Sequence, residues 1–209
     1  MKTLATIILS LFVVAGYAQD KEPEFDGHKW EAPYLLPIPK GWTIERFLVP
    51  ISFASQIPYK GVEDIRFSPG WGKVKSAEYW SYAFLWYLEG DIKIDSKIIG
   101  SNLEAYYTGL IGVNGRNIPD DRLIPVVALI KEAKKDKVDL KTFVGTIKMV
   151  DYMALKPIVL NCKVHLKSCP GEDKTFIFYE LSPQPLSHSI WLRLDKLWLD
   201  FKCKKDGPQ

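Results

Sequence analysis

Histidine and cysteine are both scarce, with three of each in 209 residues. His28, His165 and His188 stand far apart, and none shares a turn or strand with a second ligand at metal spacing, so no metal centre is expected. No Walker loop, G-x-S-x-G elbow or H-E-x-x-H pair occurs, which leaves nucleotide, α/β-hydrolase and zincin chemistry without their sequence signatures. Gly109, Gly112 and Gly115 have a phosphate-loop spacing but follow a predicted helix. A phosphate loop has to follow a strand and open a helix, so these glycines read as helix termination. Internal repeats, Gly/Ser linkers and low-complexity tracts are also missing, and the chain reads as one domain.

Long apolar runs are equally limited. The longest begins the chain: Lys2, then an apolar stretch from Leu4 to Ala15, then Gly16, Tyr17 and Ala18 with small residues at the two positions a signal peptidase inspects. Residues 1–18 are therefore expected to be an export signal cleaved after Ala18. Gln19 occupies the position where a lipid anchor would need Cys. No later segment approaches the roughly 18 consecutive apolar residues of a membrane helix. The mature chain is expected to be periplasmic or secreted. Its formal charge, +3 for the whole chain and +2 without Lys2, is small. The lysines at 131, 134, 135, 137 and 141 alternate with Glu132, Asp136 and Asp139, a solvated face rather than a nucleic-acid footprint.

Cys162, Cys169 and Cys203 fall in the last quarter of the chain and fit one disulfide plus one thiol in an oxidising compartment. Seven residues of a single strand separate Cys162 from Cys169 by about 23 Å, too far to bridge. Cys203 is then the partner of one of them.

Residues 19–40 carry Pro23, Pro33, Pro37 and Pro39 among scattered aromatics and read as an extended N-terminal arm. Strands are predicted at 42–49, 62–67 and 79–88, bounded by Pro and Gly. Ile99, Leu103, Tyr106, Tyr107 and Leu110 recur at helical spacing behind Asp95, predicting a helix over 96–111. Further strands are predicted at 126–133, 142–151, 158–167 and 175–181, the last two joined through Pro170, Gly171, Glu172 and Asp173. Ile190, Trp191, Leu194, Leu197, Trp198 and Phe201 form one stripe of a closing amphipathic helix. If this helix doubles back along the 158–167 strand, it ends beside Cys169, which favours a Cys169–Cys203 bridge and leaves Cys162 as a buried thiol. Residues 204–209 are left as a tail.

The expected fold is therefore α+β: a mainly antiparallel sheet of six to seven strands, a mid-chain helix, and a C-terminal helix packed on one face, spanning residues 41–203. This element order resembles the PsbP/Mog1-type fold, including its closing helix. Gly41-Trp42 and the stretch from Ser182-Pro183 to Trp191 resemble an exported bacterial family. Neither resemblance implies an activity.

Aromatic density is the unusual feature of the chain. In the run 79–88, Trp80, Tyr82, Phe84 and Trp86 share one face, while Ser81 and Ala83 make the other small enough for a closely packed helix. The Trp-rich face then needs its own cover, from the Pro-rich arm, a partner or a ligand. Rigid rings along a groove suit sugars, lipids or peptides. Those four residues are the expected binding face of a non-enzymatic envelope module. Its partner would be a small molecule, glycan, lipid or envelope protein, with no cofactor and no nucleic acid. A hydrolase built from dispersed residues is the alternative, with His165, placed on the wet face of its strand, Asp151 and His188 as first suspects. A homodimer through the aromatic face is the third reading. Ser187 or Ser189 is expected to cap the last helix, and Arg66 to form a fork with Glu45.

Overall fold

The alternating strands pair into a single seven-stranded antiparallel sheet. A computed structural model describes residues 25–136 and 138–204, so the expected export signal lies outside the described residues. In chain order the elements are β1 (Tyr34–Leu35), β2 (Thr43–Val49), β3 (Gly61–Phe67), β4 (Tyr82–Glu89), α1 (Ser96–Asn114), β5 (Val127–Glu132), β6 (Lys141–Asp151), β7 (Lys156–Lys167), β8 (Lys174–Ser182), α2 (Ile190–Leu199) and β9 (Lys202–Cys203). The large sheet runs β2-β3-β4-β8-β7-β6-β5, and β1 pairs with β9 in a separate two-stranded ribbon. The architecture is the expected α+β one, with two helices on a mainly antiparallel sheet.

The order of strands dictates the layers. The chain leaves β4 near the middle of the sheet and re-enters at the far edge as β5, so α1 has to cross one face. Asp95 starts α1 by accepting from the Ile98 N–H at 2.8 Å, and Ile99, Leu103, Tyr106, Tyr107 and Ile111 face the sheet. Gly109 has a packing reason inside this helix: a Cβ there would lie 1.8 Å from the Phe53 carbonyl oxygen. Gly115 ends the helix, its N–H donating to the Ile111 carbonyl.

The other face carries α2, which buries Ile190, Trp191, Leu194, Leu197 and Trp198 against Ala83, Leu85, Phe176 and Phe178. Ala83 is the small residue on that face of β4, and α2 lies chiefly over the neighbouring β8. Each large apolar side chain fully removed from water contributes about 1.5–3 kcal/mol before ordering costs. As α2 runs back along β7, Lys163 meets Asp195 and His165 meets Trp198. The helix therefore ends where Cys203 reaches Cys169, and the two form the disulfide, with Cα atoms 5.8 Å apart. Cys162 is a free buried thiol whose burial pushes it up to about 12.

Three expectations require correction. First, the Trp-rich face of β4 is covered by α1 and not by the arm, because the β4–β5 crossover takes that side. The arm instead lies with α2 on the opposite face, where Tyr34, Leu36, Trp42 and Phe201 share one core, and its residues Tyr34–Leu35 form β1. Second, β4 begins at Tyr82, because residues 79–81 belong to a turn in which Trp80 has a φ of 52°. Third, Arg66 does not meet Glu45. The register sets Arg66 opposite Ile44 and Glu45 opposite Ile65, so alternation sends the two side chains to opposite faces. Arg66 pairs with Asp64 instead, and its guanidinium also donates to the Leu36 and Pro37 carbonyls at 3.1 and 2.9 Å, fastening the arm to the sheet.

Candidate functional site

A cleft of about 310 Å³ opens between the C-terminal half of α1 and the β2-β3-β4 side of the sheet. The chain makes it by folding residues 68–81 back on themselves. The Trp80 N–H donates to the Trp71 carbonyl at 2.8 Å, and the Gly70 N–H donates to the Glu78 carboxylate at 2.9 Å. That return sets the Trp71 ring on Phe67, stacked at 4.4 Å, and across from Trp80 at 6.4 Å. Tyr152, from the β6–β7 turn, meets Trp80 edge-on at 5.3 Å, and Phe53 meets Tyr106 of α1 in the same manner at 5.3 Å. Rings from six separate stretches of chain therefore line one concavity, with Glu45 and Asn114 also on its wall. Trp71, Phe53 and Tyr152 are partly exposed, and Phe47 at the rim is 41% exposed. Partial burial raises the pKa of the Glu45 carboxyl.

The four expected binding residues divide at this cleft. Trp80 and Tyr82 line it, although each is at most 3% exposed. The buried Trp80 indole N–H makes no hydrogen bond of good geometry, while the Tyr82 hydroxyl is bonded to that of Tyr107 beneath it. Phe84 and Trp86 are sealed under α1. Phe84 stacks on Tyr179 at 4.5 Å and on Tyr106 at 5.4 Å, and the Trp86 N–H donates to Glu63 at 2.6 Å. The Trp80 end of the row reaches the cleft, while α1 covers Phe84 and Trp86.

Asp151, His165 and His188 do not come together. Asp151 pairs with Lys156 and His165 with Thr142 on the same two strands, nine positions apart, a separation of about 30 Å. His188 precedes α2 while His165 faces Trp198 near its end, a helical rise of about 15 Å. Each has its own local task. Asp151 accepts from the Tyr79 hydroxyl at 2.7 Å and from the Met153 and Ala154 N–H groups at 2.9 and 3.1 Å, which orders the turn carrying Tyr152. His188 accepts the Ile190 N–H on Nδ1 at 3.2 Å, so the imidazole caps the start of α2. This corrects the expectation of a serine cap, since Ser189 makes no side-chain cap bond.

His165 is not on a wet face, because α2 covers it to 5% exposure. Its Nδ1 lies 2.7 Å from Asp139, which also accepts from the Trp198 N–H at 2.7 Å and from the Thr142 hydroxyl. Its Nε2 lies 3.6 Å from the fully buried Glu180. Burial alone would lower the imidazole pKa, but the two carboxylates raise it to about 9. Burial lifts Glu180 to about 7. For Asp139 burial acts upward, yet the bonds from His165 and Thr142 hold it below the usual carboxylate range.

Sequence reasoning passed over the buried carboxylates Glu63 and Glu180, and it set Asp139 on a solvated face although the residue is 3% exposed. The signal for the two glutamates was present in the alternation. Glu63 shares the inward parity of Ile65 and Phe67, and Glu180 that of Phe176 and Phe178, where an acid must find a partner or a proton. Among the described residues no helix is long and apolar enough to cross a membrane, and no group of three metal-ligating side chains converges. No protein-family model matches the chain, and neither the curated proteins nor the solved structures yield a significant match.

Proposed function

We propose that the chain is an exported, non-enzymatic binding module that takes a small ligand with a flat apolar face in the cleft beside Trp71. The observation that carries this reading is the convergence of rings from separate stretches of chain on one opening, with Trp71 partly exposed between Phe67 and Trp80. Rigid rings offer contact area at little entropic cost. A volume of about 310 Å³ lies at the low end for small-molecule sites and suits a single ring or a short acyl segment rather than a polymer. The apolar stretch behind Lys2, with small residues before Gln19, supports export, and the Cys169–Cys203 disulfide is compatible with it.

Tryptophan emission titrated with monosaccharides, phenolic compounds and short-chain lipids tests the proposal. One of these classes is expected to give a saturable change that Trp71→Ala removes. No saturable change with any class, or an unaltered response in Trp71→Ala, overturns it.

A further inference from the structure

The cleft beside Trp71 has one charged side chain on its wall, the carboxylate of Glu45, and among the described residues no lysine, arginine or histidine lines it. In a chain whose basic residues outnumber its acidic ones, 28 to 25, that imbalance is local. The register of β2 and β3 fixes where the charge lies. Glu45 stands opposite Ile65 and one diagonal from Phe67, on which the Trp71 ring is stacked, so alternation puts the carboxylate and these rings on the same face of the sheet. Arg46, its neighbour in sequence, projects from the other face and is held by Asp64. Glu45 itself is exposed and makes no ion pair among the described residues, and His28 of the arm acts on it only through space. The Tyr152 hydroxyl, raised to about 12 by burial, by Asp151 and by Glu45, feels that charge inside the cleft.

On the α2 face the chain places its own cations over its rings. Arg46 lies over Trp30, Arg193 over Trp42, Lys174 over Tyr87, Lys163 over Trp191, and Lys167 over Trp198 and Phe201, between 5.1 and 5.5 Å from the ring centroids. All of these rings belong to the core under α2 and the arm. Among the described residues no such contact involves a ring of the cleft, where Trp71, Phe53 and Tyr152 are partly exposed. An aromatic face attracts a cation through its quadrupole, and a carboxylate at the rim adds to that attraction while repelling an anion. We infer that the cleft selects an organic cation, whose flat ring packs against Trp71 and whose positively charged nitrogen lies toward Glu45, a preference that rests on the proposed use of this cleft as a ligand site.

Benzylamine, benzyl alcohol and benzoate share one ring and near neutral pH are a cation, a neutral molecule and an anion. Tryptophan emission is titrated with each at low salt, since the Glu45 charge is exposed and therefore screened. Benzylamine is expected to bind about tenfold more tightly than benzyl alcohol, through a cation–π contact together with an exposed ion pair, and benzoate most weakly of the three. Glu45→Gln, at an exposed position, should reduce the preference for benzylamine severalfold and leave the affinity for benzyl alcohol unchanged. Trp71→Ala should weaken both. Equal binding of benzylamine and benzyl alcohol, or a preference that survives intact in Glu45→Gln, overturns the inference and leaves the cleft a site for neutral rings. If none of the three binds while a monosaccharide or a short-chain lipid does, the inference falls and the cleft stands as a ligand site. If no compound of either set gives a saturable change, both fall.

Discussion

Arg66 and Asp64, two residues apart on β3, form an ion pair in which neither side chain is more than 1% exposed. Through it the sheet holds the N-terminal arm: Arg66 donates to the carbonyls of Leu36 and Pro37, and Asp64 accepts from the Tyr34 hydroxyl and from Arg46. Removing one partner of a buried pair leaves an uncompensated charge and costs about 3–5 kcal/mol. Arg66→Ala is expected at the lower end, because Arg46 still reaches Asp64 at 2.9 Å. Denaturant unfolding measures the loss, and hydrogen exchange should show residues 34–37 opening before the sheet. An unchanged midpoint and arm protection would refute this role for the pair.

Two glycines of α1 are expected to respond in opposite directions to the same substitution. Gly112 is exposed, and nothing lies within 4 Å of an added Cβ, so Gly112→Ala should stabilise the protein by about 0.5–1 kcal/mol through helix propensity. Gly109→Ala gains the same propensity but drives its Cβ into the backbone carbonyl of Phe53. Overpacking of that kind costs about 1–3 kcal/mol or more, so the net effect should be destabilising. Melting temperatures of the two variants decide it, and a stabilised Gly109→Ala would show that α1 does not press on the turn at Ser52–Ala54.

Local patterns made much of the fold legible. Strand-like runs between turn residues placed β2, β3, β6, β7 and β8, the spacing from Ile99 to Leu110 placed α1, and the stripe from Ile190 to Phe201 placed α2 and, through its direction, the Cys169–Cys203 bridge. What failed depended on partners distant in sequence. That α1 and not the arm covers Phe84 and Trp86 follows from β5 pairing with β6 at the far edge, which nothing in residues 79–88 encodes. Arg66 was matched to Glu45 because both are on neighbouring strands, whereas a register of Arg66 opposite Ile44 puts them on opposite faces. His165 read as wet because its strand alternates cleanly, but the covering residue, Trp198, arrives from the last helix. Of the aromatic row, Trp80 and Tyr82 line the cleft, while Trp71 and Tyr152 come from turns whose return geometry leaves no periodic trace.

Thiol chemistry should separate the three cysteines. In the folded, non-reduced protein no thiol should react rapidly with an alkylating reagent, since Cys162 is buried and its pKa pushed up to about 12. After denaturation one thiol per chain should appear. Cys203→Ser opens a link spanning 34 residues and should cost about 2–4 kcal/mol, with the β1–β9 ribbon fraying first. Two reactive thiols in the folded protein, or a peptide map with Cys162 in the bridge, would contradict the packing of α2.

The pH dependence of stability should bear the mark of Glu63. This carboxyl is wholly buried under α1, and burial raises it from 4.5 to about 7, even though the Trp86 N–H and the Tyr106 hydroxyl, donating at 2.6 and 3.0 Å, act to lower it. A folded pKa above the unfolded one means that the folded state holds the proton more tightly. The stabilising contribution is then complete below about pH 4.5 and is lost as pH climbs toward 7. Glu180, lifted to about 7 by its own burial, acts with the same sign. His165 extends the decline, its contribution being complete below pH 6.5 and lost as pH rises through about 9. Glu63→Gln keeps the shape and cannot ionise, so it should flatten part of the slope between pH 4.5 and 7, leaving the share due to Glu180. Above pH 7 the variant should be more stable than the wild type by about 1–3 kcal/mol, at roughly 1.4 kcal/mol per unit of pKa difference. Chemical denaturation at several pH values measures both effects. A Glu63→Gln variant that loses stability at pH 8 would mean that Trp86 and Tyr106 require the ionised carboxylate, and that its interactions outweigh the cost of burying the charge.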